Sequence, residues 1–120
     1  MTFDPKEFAF AAVRLLNEKK ASDIILLEIS NVSLIADYFL ICTGTSAIQS
    51  KALCDYLLEK LPGEKTPLLR LEGYQDAGWI LLDFGFLVIH IFLPEERSFY
   101  NLERLWRGAR VVDLSFLKTS

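Results

Sequence analysis

One stretch constrains this chain more than any other: Trp79 to Phe92, reading Trp-Ile-Leu-Leu-Asp-Phe-Gly-Phe-Leu-Val-Ile-His-Ile-Phe. Two β-prone runs flank Phe84-Gly85, which predicts a hairpin with a two-residue loop. In that register Asp83 faces Phe86, Leu81 faces Val88 and Trp79 faces His90, since directly opposed residues share a face. Ile80, Leu82, Leu87, Ile89 and Ile91 then form an aliphatic core face. Trp79, Leu81, Asp83, Phe86, Val88, His90 and Phe92 form a mixed one. Strands apolar on both sides are normally covered on both. The mixed face therefore lies under a helix or serves a partner.

A length of 120 residues suits one domain, 1–120, with one substantial core. Hydrophobic residues make up 52% of the chain, a mild excess that points to a buried interface beyond the core. The net charge of −3 counts against a general nucleic-acid binder. Four of the six arginines (Arg97, Arg104, Arg107, Arg110) nevertheless crowd the last quarter. A solvated helix face is the plainer reading of that group, with a weak phosphate contact as the alternative. Cys42 and Cys54 read as buried free thiols of a reducing compartment, and their spacing suggests neither zinc nor a redox pair. The N-terminus has no signal-peptide pattern, and no apolar run reaches the roughly 18 residues of a membrane span. A cytoplasmic protein is expected, or an organellar one whose targeting segment is absent from this sequence.

Along the chain, Asp4-Pro5-Lys6-Glu7 predicts a helix start, with Asp4 as N-cap and Glu7 closing a capping box. Phe8, Ala12, Leu15 and Leu16 carry that helix to about Lys20. Strands follow at Asp23 to Ile29 and Asp37 to Thr43, the second apolar on both faces. Ser46 to Gln49 is a second capping box, opening a helix that uses Ile48, Ala52, Leu57, Leu58 and Leu61 and stops before Pro62-Gly63. A third strand spans Leu68 to Glu72, and the hairpin comes next. Pro94-Glu95-Glu96 opens a last helix with Phe99, Leu102 and Leu105 or Trp106 as its stripe. The tail from Arg107 reads as irregular. The expected class is α/β (α+β), a mixed sheet of about five strands with helices packed on it.

Little here points to catalysis. Thr43-Gly44-Thr45-Ser46 between strand and helix resembles half of a nucleotidyltransferase phosphate site. The other half, two carboxylates alternating on a neighbouring strand to hold magnesium, is missing. A helix cap is the plainer reading. His90 has no Ser or Cys nucleophile placed beside it by sequence, and Asp23 and Asp37 are most simply turn or edge residues.

Several blocks together resemble one family. Leu34-Ile35-Ala36-Asp37-Tyr38-Phe39, Ile41-Cys42-Thr43-Gly44-Thr45-Ser46, Trp79-Ile80-Leu81-Leu82-Asp83-Phe84-Gly85, Val88-Ile89-His90-Ile91-Phe92 and Arg97 through Trp106 are similar to the ribosomal silencing factors, the Iojap family. The likeness runs from about residue 5 to 112. Phe86 stands where the family often has an acid, and Ala47 or Ile48 where a basic residue is common. The resemblance implies a nucleotidyltransferase-like topology without catalysis, cofactor or metal. It implies a translation repressor that binds the large ribosomal subunit through large-subunit ribosomal protein fourteen. There it would block joining with the small subunit under nutrient limitation. A homodimer, peripheral rRNA contact and no membrane association go with it. By carry-over the binding face would hold Trp79, Phe84, His90 and Phe92, with Tyr38 and Arg97 as further contributors. A small nucleotidyltransferase-like enzyme and a plain dimerisation module are the competing readings.

Overall fold

A computed structural model describes residues 4–61, 66–105 and 107–119. The chain runs α1 (Pro5–Glu18), β1 (Ser22–Glu28), β2 (Tyr38–Thr43), α2 (Ala47–Lys60), β3 (Arg70–Glu72), β4 (Trp79–Asp83) and β5 (Leu87–Phe92). It continues through α3 (Pro94–Tyr100), α4 (Leu102–Leu105), β6 (Arg110–Val111) and a 3-10 turn at Ser115–Thr119. The six strands form one sheet in the order β3-β4-β5-β2-β1-β6. Every neighbouring pair is antiparallel except β2 and β5, whose parallel seam runs from Tyr38 opposite Leu87 to Thr43 opposite Phe92. No described helix is long and apolar enough to cross a membrane.

The sheet buries its two faces unequally. On one side α1 and α2 pack over Leu26, Tyr38, Leu40, Cys42, Ile80, Leu82, Leu87, Ile89 and Ile91. Helix α1 meets them with Phe8, Ala9, Ala12, Val13 and Leu16, and Asp4 caps it by accepting the Lys6 amide at 2.9 Å. The second side is thinner. Leu27, Ile29, Phe39, Ile41 and Phe92 lie there with Leu102 over them and Trp79 and Val88 half-buried at the margin.

Four expectations need correction. The hairpin pairs Trp79 with Phe92 and Leu81 with His90, two residues out of the expected register. The loop is Gly85-Phe86, because Gly85 takes φ +89°, a conformation that side chains resist, and Asp83 accepts its amide at 2.8 Å. A shift of two keeps the side chains of β4 and β5 on their expected faces, but Phe86, now in the loop, leaves the mixed face and packs edge-on to Phe8 at 5.3 Å on the helix-covered side. Helix α2 is rotated from the expected face: it buries Ser50, Leu53, Cys54 and Leu57, while Ile48 is 84% and Leu58 40% exposed. The last helix is broken at Asn101, which sits in the left-handed region (φ 45°, ψ 63°), so Phe99 is left 81% exposed while Leu102 turns inward. The tail supplies a sixth strand, β6, rather than being irregular. The stop at Pro62-Gly63 and the packing of Trp106 lie outside the described residues.

A candidate partner-binding face

Five rings pack in series across the thin side of the sheet. Tyr100 meets Trp79 at 4.5 Å between centroids, and Trp79 meets Phe92 at 5.0 Å. Phe92 lies nearly parallel to His90, and His90 packs on Phe39 at 4.6 Å. Phe99 adds an edge contact to Tyr100 at 5.1 Å. Exposure falls steeply along this series: Phe99 81%, Tyr100 46%, Trp79 half-buried, His90 3% and Phe92 1%. Polar residues rim the β4 side, where Arg70 reaches Glu72 at 3.0 Å and Asp83 at 3.5 Å.

The Trp79 indole N–H donates to His90 Nδ1 at 3.0 Å. An imidazole that accepts at Nδ1 is neutral and carries its proton on Nε2. Burial favours that neutral form and pushes the His90 pKa down to about 4, against a weak upward pull from Asp83. Nε2 finds no hydrogen-bond partner among the described residues.

The six residues expected on the binding face divide three ways. Trp79, His90 and Phe92 do come together, but His90 and Phe92 lie beneath the surface and support it. Phe84 is 8% exposed and sits edge-on to Phe8 at 5.3 Å, on the helix-covered side. It follows Leu82 by two positions, so strand alternation sends it there. Tyr38 alternates with Leu40 and Cys42 into the same helix-covered core. Arg97 is a brace: Nη1 donates to the Asp23 carbonyl at 2.6 Å and to Thr43 Oγ1 at 2.9 Å, fixing α3 to the ends of β1 and β2. Sequence reasoning missed Phe99 and Tyr100 as surface residues. The signal available was Asn101, a residue tolerant of the left-handed turn that ends α3.

Beside Arg97 an open groove of about 580 Å³ is lined by Ser22, Asp23, Thr43, Thr45, Ser98 and Asn101. Three amides of this loop and the helix start it opens are already engaged within the protein. Gly44 donates to the Phe92 carbonyl at 2.9 Å, Thr45 to Gln49 Oε1 at 2.6 Å, and Gln49 to Ser46 Oγ at 3.1 Å. The sequence Thr43-Gly44-Thr45-Ser46 is thus a helix cap in which Gln49 reaches back one residue further than a capping box requires. Among the described residues no three His, Cys, Asp or Glu side chains are grouped to hold a metal ion. Cys42 and Cys54 are free and buried, and burial raises both thiols to about 12.

Residues 2–120 match the family described as ribosomal silencing factor during starvation. The ribosomal silencing factor of Halalkalibacterium halodurans is 41% identical over 109 residues, spanning 91% of this chain and 93% of that one. A mouse protein named for mitochondrial assembly of the ribosomal large subunit is 37% identical over 97 residues, 78% of this chain but 42% of its own length. The crystal structure of a Chromobacterium violaceum protein superposes with a TM-score of 0.83 at 30% identity, over 93% of each chain. The chain belongs to the ribosomal silencing factor family.

Proposed function

We propose that this protein represses translation by binding the large ribosomal subunit and obstructing its union with the small one when nutrients are scarce. The family membership supports the process, and the name of the mouse relative supports the large subunit as the particle bound. Large-subunit ribosomal protein fourteen is the contact we assign, at the cytoplasmic ribosome. The observation that carries the reading is an aromatic edge in which half-buried Trp79 of the sheet meets exposed Tyr100 and Phe99 of α3. Aromatic anchors dominate the centres of protein interfaces, and anchors already ordered cost little to bind. The topology is read as a nucleotidyltransferase-like scaffold whose phosphate-loop position serves as a helix cap, which favours binding over enzymatic work.

The test pairs sedimentation with one variant. A tagged copy should migrate with free large subunits and be absent from joined ribosomes. Trp79→Ala should weaken association with isolated large subunits by about thirtyfold or more, equal to about 2 kcal/mol. If the variant stays folded and still prevents subunit joining, Trp79 is no anchor. Nucleoside triphosphate binding at micromolar concentration, lost in Ser46→Ala, would return the enzyme reading.

A further inference from the structure

We propose that His90 is a positioning residue for the ribosome contact: its Nδ1 holds the Trp79 indole in the orientation the partner receives. The proposal rests on the reading of Trp79 as an anchor. It adds a role for a residue that the partner never touches.

The geometry is asymmetric between the two residues. His90 is fully enclosed, packed on Phe39 at 4.6 Å and parallel to Phe92, so the direction of its Nδ1 lone pair is set by the core. Trp79 is half-buried, and on its outer side it meets Tyr100, itself 46% exposed. Across the strand pair Trp79 stands opposite Phe92, and His90 is its diagonal neighbour, a distance that only a large side chain spans. The 3.0 Å bond is therefore the contact that distinguishes one indole orientation from its flipped alternative. The tilted ring contacts with Phe92 and Tyr100 are less directional than that bond.

Core stability does not account for a histidine here. Its Nε2 donor is buried with no partner among the described residues, an arrangement that costs free energy. An aliphatic side chain would fill this site more cheaply, as the neighbouring Ile89 and Ile91 do on the other face. What an aliphatic residue cannot do is accept from the indole. Burial also keeps the imidazole neutral, so the acceptor persists throughout the physiological pH range.

The decisive experiment is a double-mutant cycle on affinity for isolated large subunits, with melting temperature measured alongside. His90→Leu should weaken binding about fivefold, the equivalent of one neutral hydrogen bond, while melting close to the parent. His90→Asn, whose amide oxygen approximates the position of Nδ1, should recover most of the loss. In a Trp79→Phe background, which lacks the indole donor, His90→Leu should have no further effect. Additive losses in the two backgrounds, or full affinity in His90→Leu, overturn the proposal. If Trp79→Ala itself leaves affinity unchanged, the anchor reading has failed first.

A readout on the unmodified protein guards against variants that do not fold. Nitrogen-15 spectra should show His90 as the Nε2–H tautomer. The Trp79 indole proton, told apart from that of Trp106 by Trp106→Phe, should exchange slowly with solvent. An Nδ1–H tautomer would overturn the proposal.

Discussion

His90 ties the fold's stability to pH. In the folded protein burial lowers its pKa to about 4 from an ordinary 6.5, so the native imidazole stays neutral where the unfolded one takes up a proton. Its contribution to stability is full above about pH 6.5 and is lost progressively as the pH falls towards 4, at up to about 1.4 kcal/mol per unit. Urea unfolding at pH 7 and pH 5 should therefore show a drop in the parent that His90→Leu diminishes by about 1 kcal/mol or more. Equal drops in the two proteins would place the proton uptake elsewhere. The two cysteines invite the opposite expectation. With thiols raised to about 12 by burial, thiol reagents should label neither Cys42 nor Cys54 until denaturant is added. Changing each to Ala should cost about 1 kcal/mol per cavity and leave large-subunit association intact.

Among the elements, legibility followed the strength of the local signal. Helix α1 was readable because Asp4, Pro5 and the spacing of its apolar residues agree with each other. The faces of β4 and β5 were readable too, since alternation survives an error of two in register. What the sequence Phe84-Gly85-Phe86 could not reveal was which loop position the glycine takes, and Gly85 took the first, at φ +89°. The face of α2 was misread because apolar Ile48 and Leu58 competed with the true face, in which Ser50 and Cys54 are small enough to let the helix close on the sheet beside Leu53 and Leu57. Ser50 fits directly against Gly44, which leaves no room for a side chain at that glycine. As for the binding face, sequence placed Trp79, His90 and Phe92 together but not their depth, because depth is set by α3 and α4 crossing above them. Three substitutions probe the left-handed positions. Asn101→Val should cost about 1–2 kcal/mol, as a β-branched residue is forced into the left-handed region, and Asn101→Gly should be near neutral. Gly73→Ala should be worse: at φ +77° its new methyl group would run into the Trp79 carbonyl oxygen. Melting curves of the three variants check the order.

At the scale of the whole molecule, the parallel seam between β2 and β5 divides the chain into two local units. One is α1, β1, β2 and α2; the other is the β3–β4–β5 meander, and each is stitched by neighbours in sequence. The seam joins partners about fifty positions apart, such as Leu40 and Ile89. Bringing them together closes a long loop before any reward arrives, and parallel pairing of this kind is slow. Encounter of the two units should therefore limit the rate of folding. Leu40→Ala and Ile89→Ala should slow refolding in proportion to the stability lost. Leu102→Ala, in the thin outer cover, should act mainly on unfolding. Chevron plots that show the reverse would mean the outer cover forms first. On this account a newly made chain holds one half-finished sheet with β2 bare at its edge until β5 emerges from the ribosome. A protein that we infer acts on ribosomes would thus depend on the same machine to keep that edge from pairing wrongly in the interval.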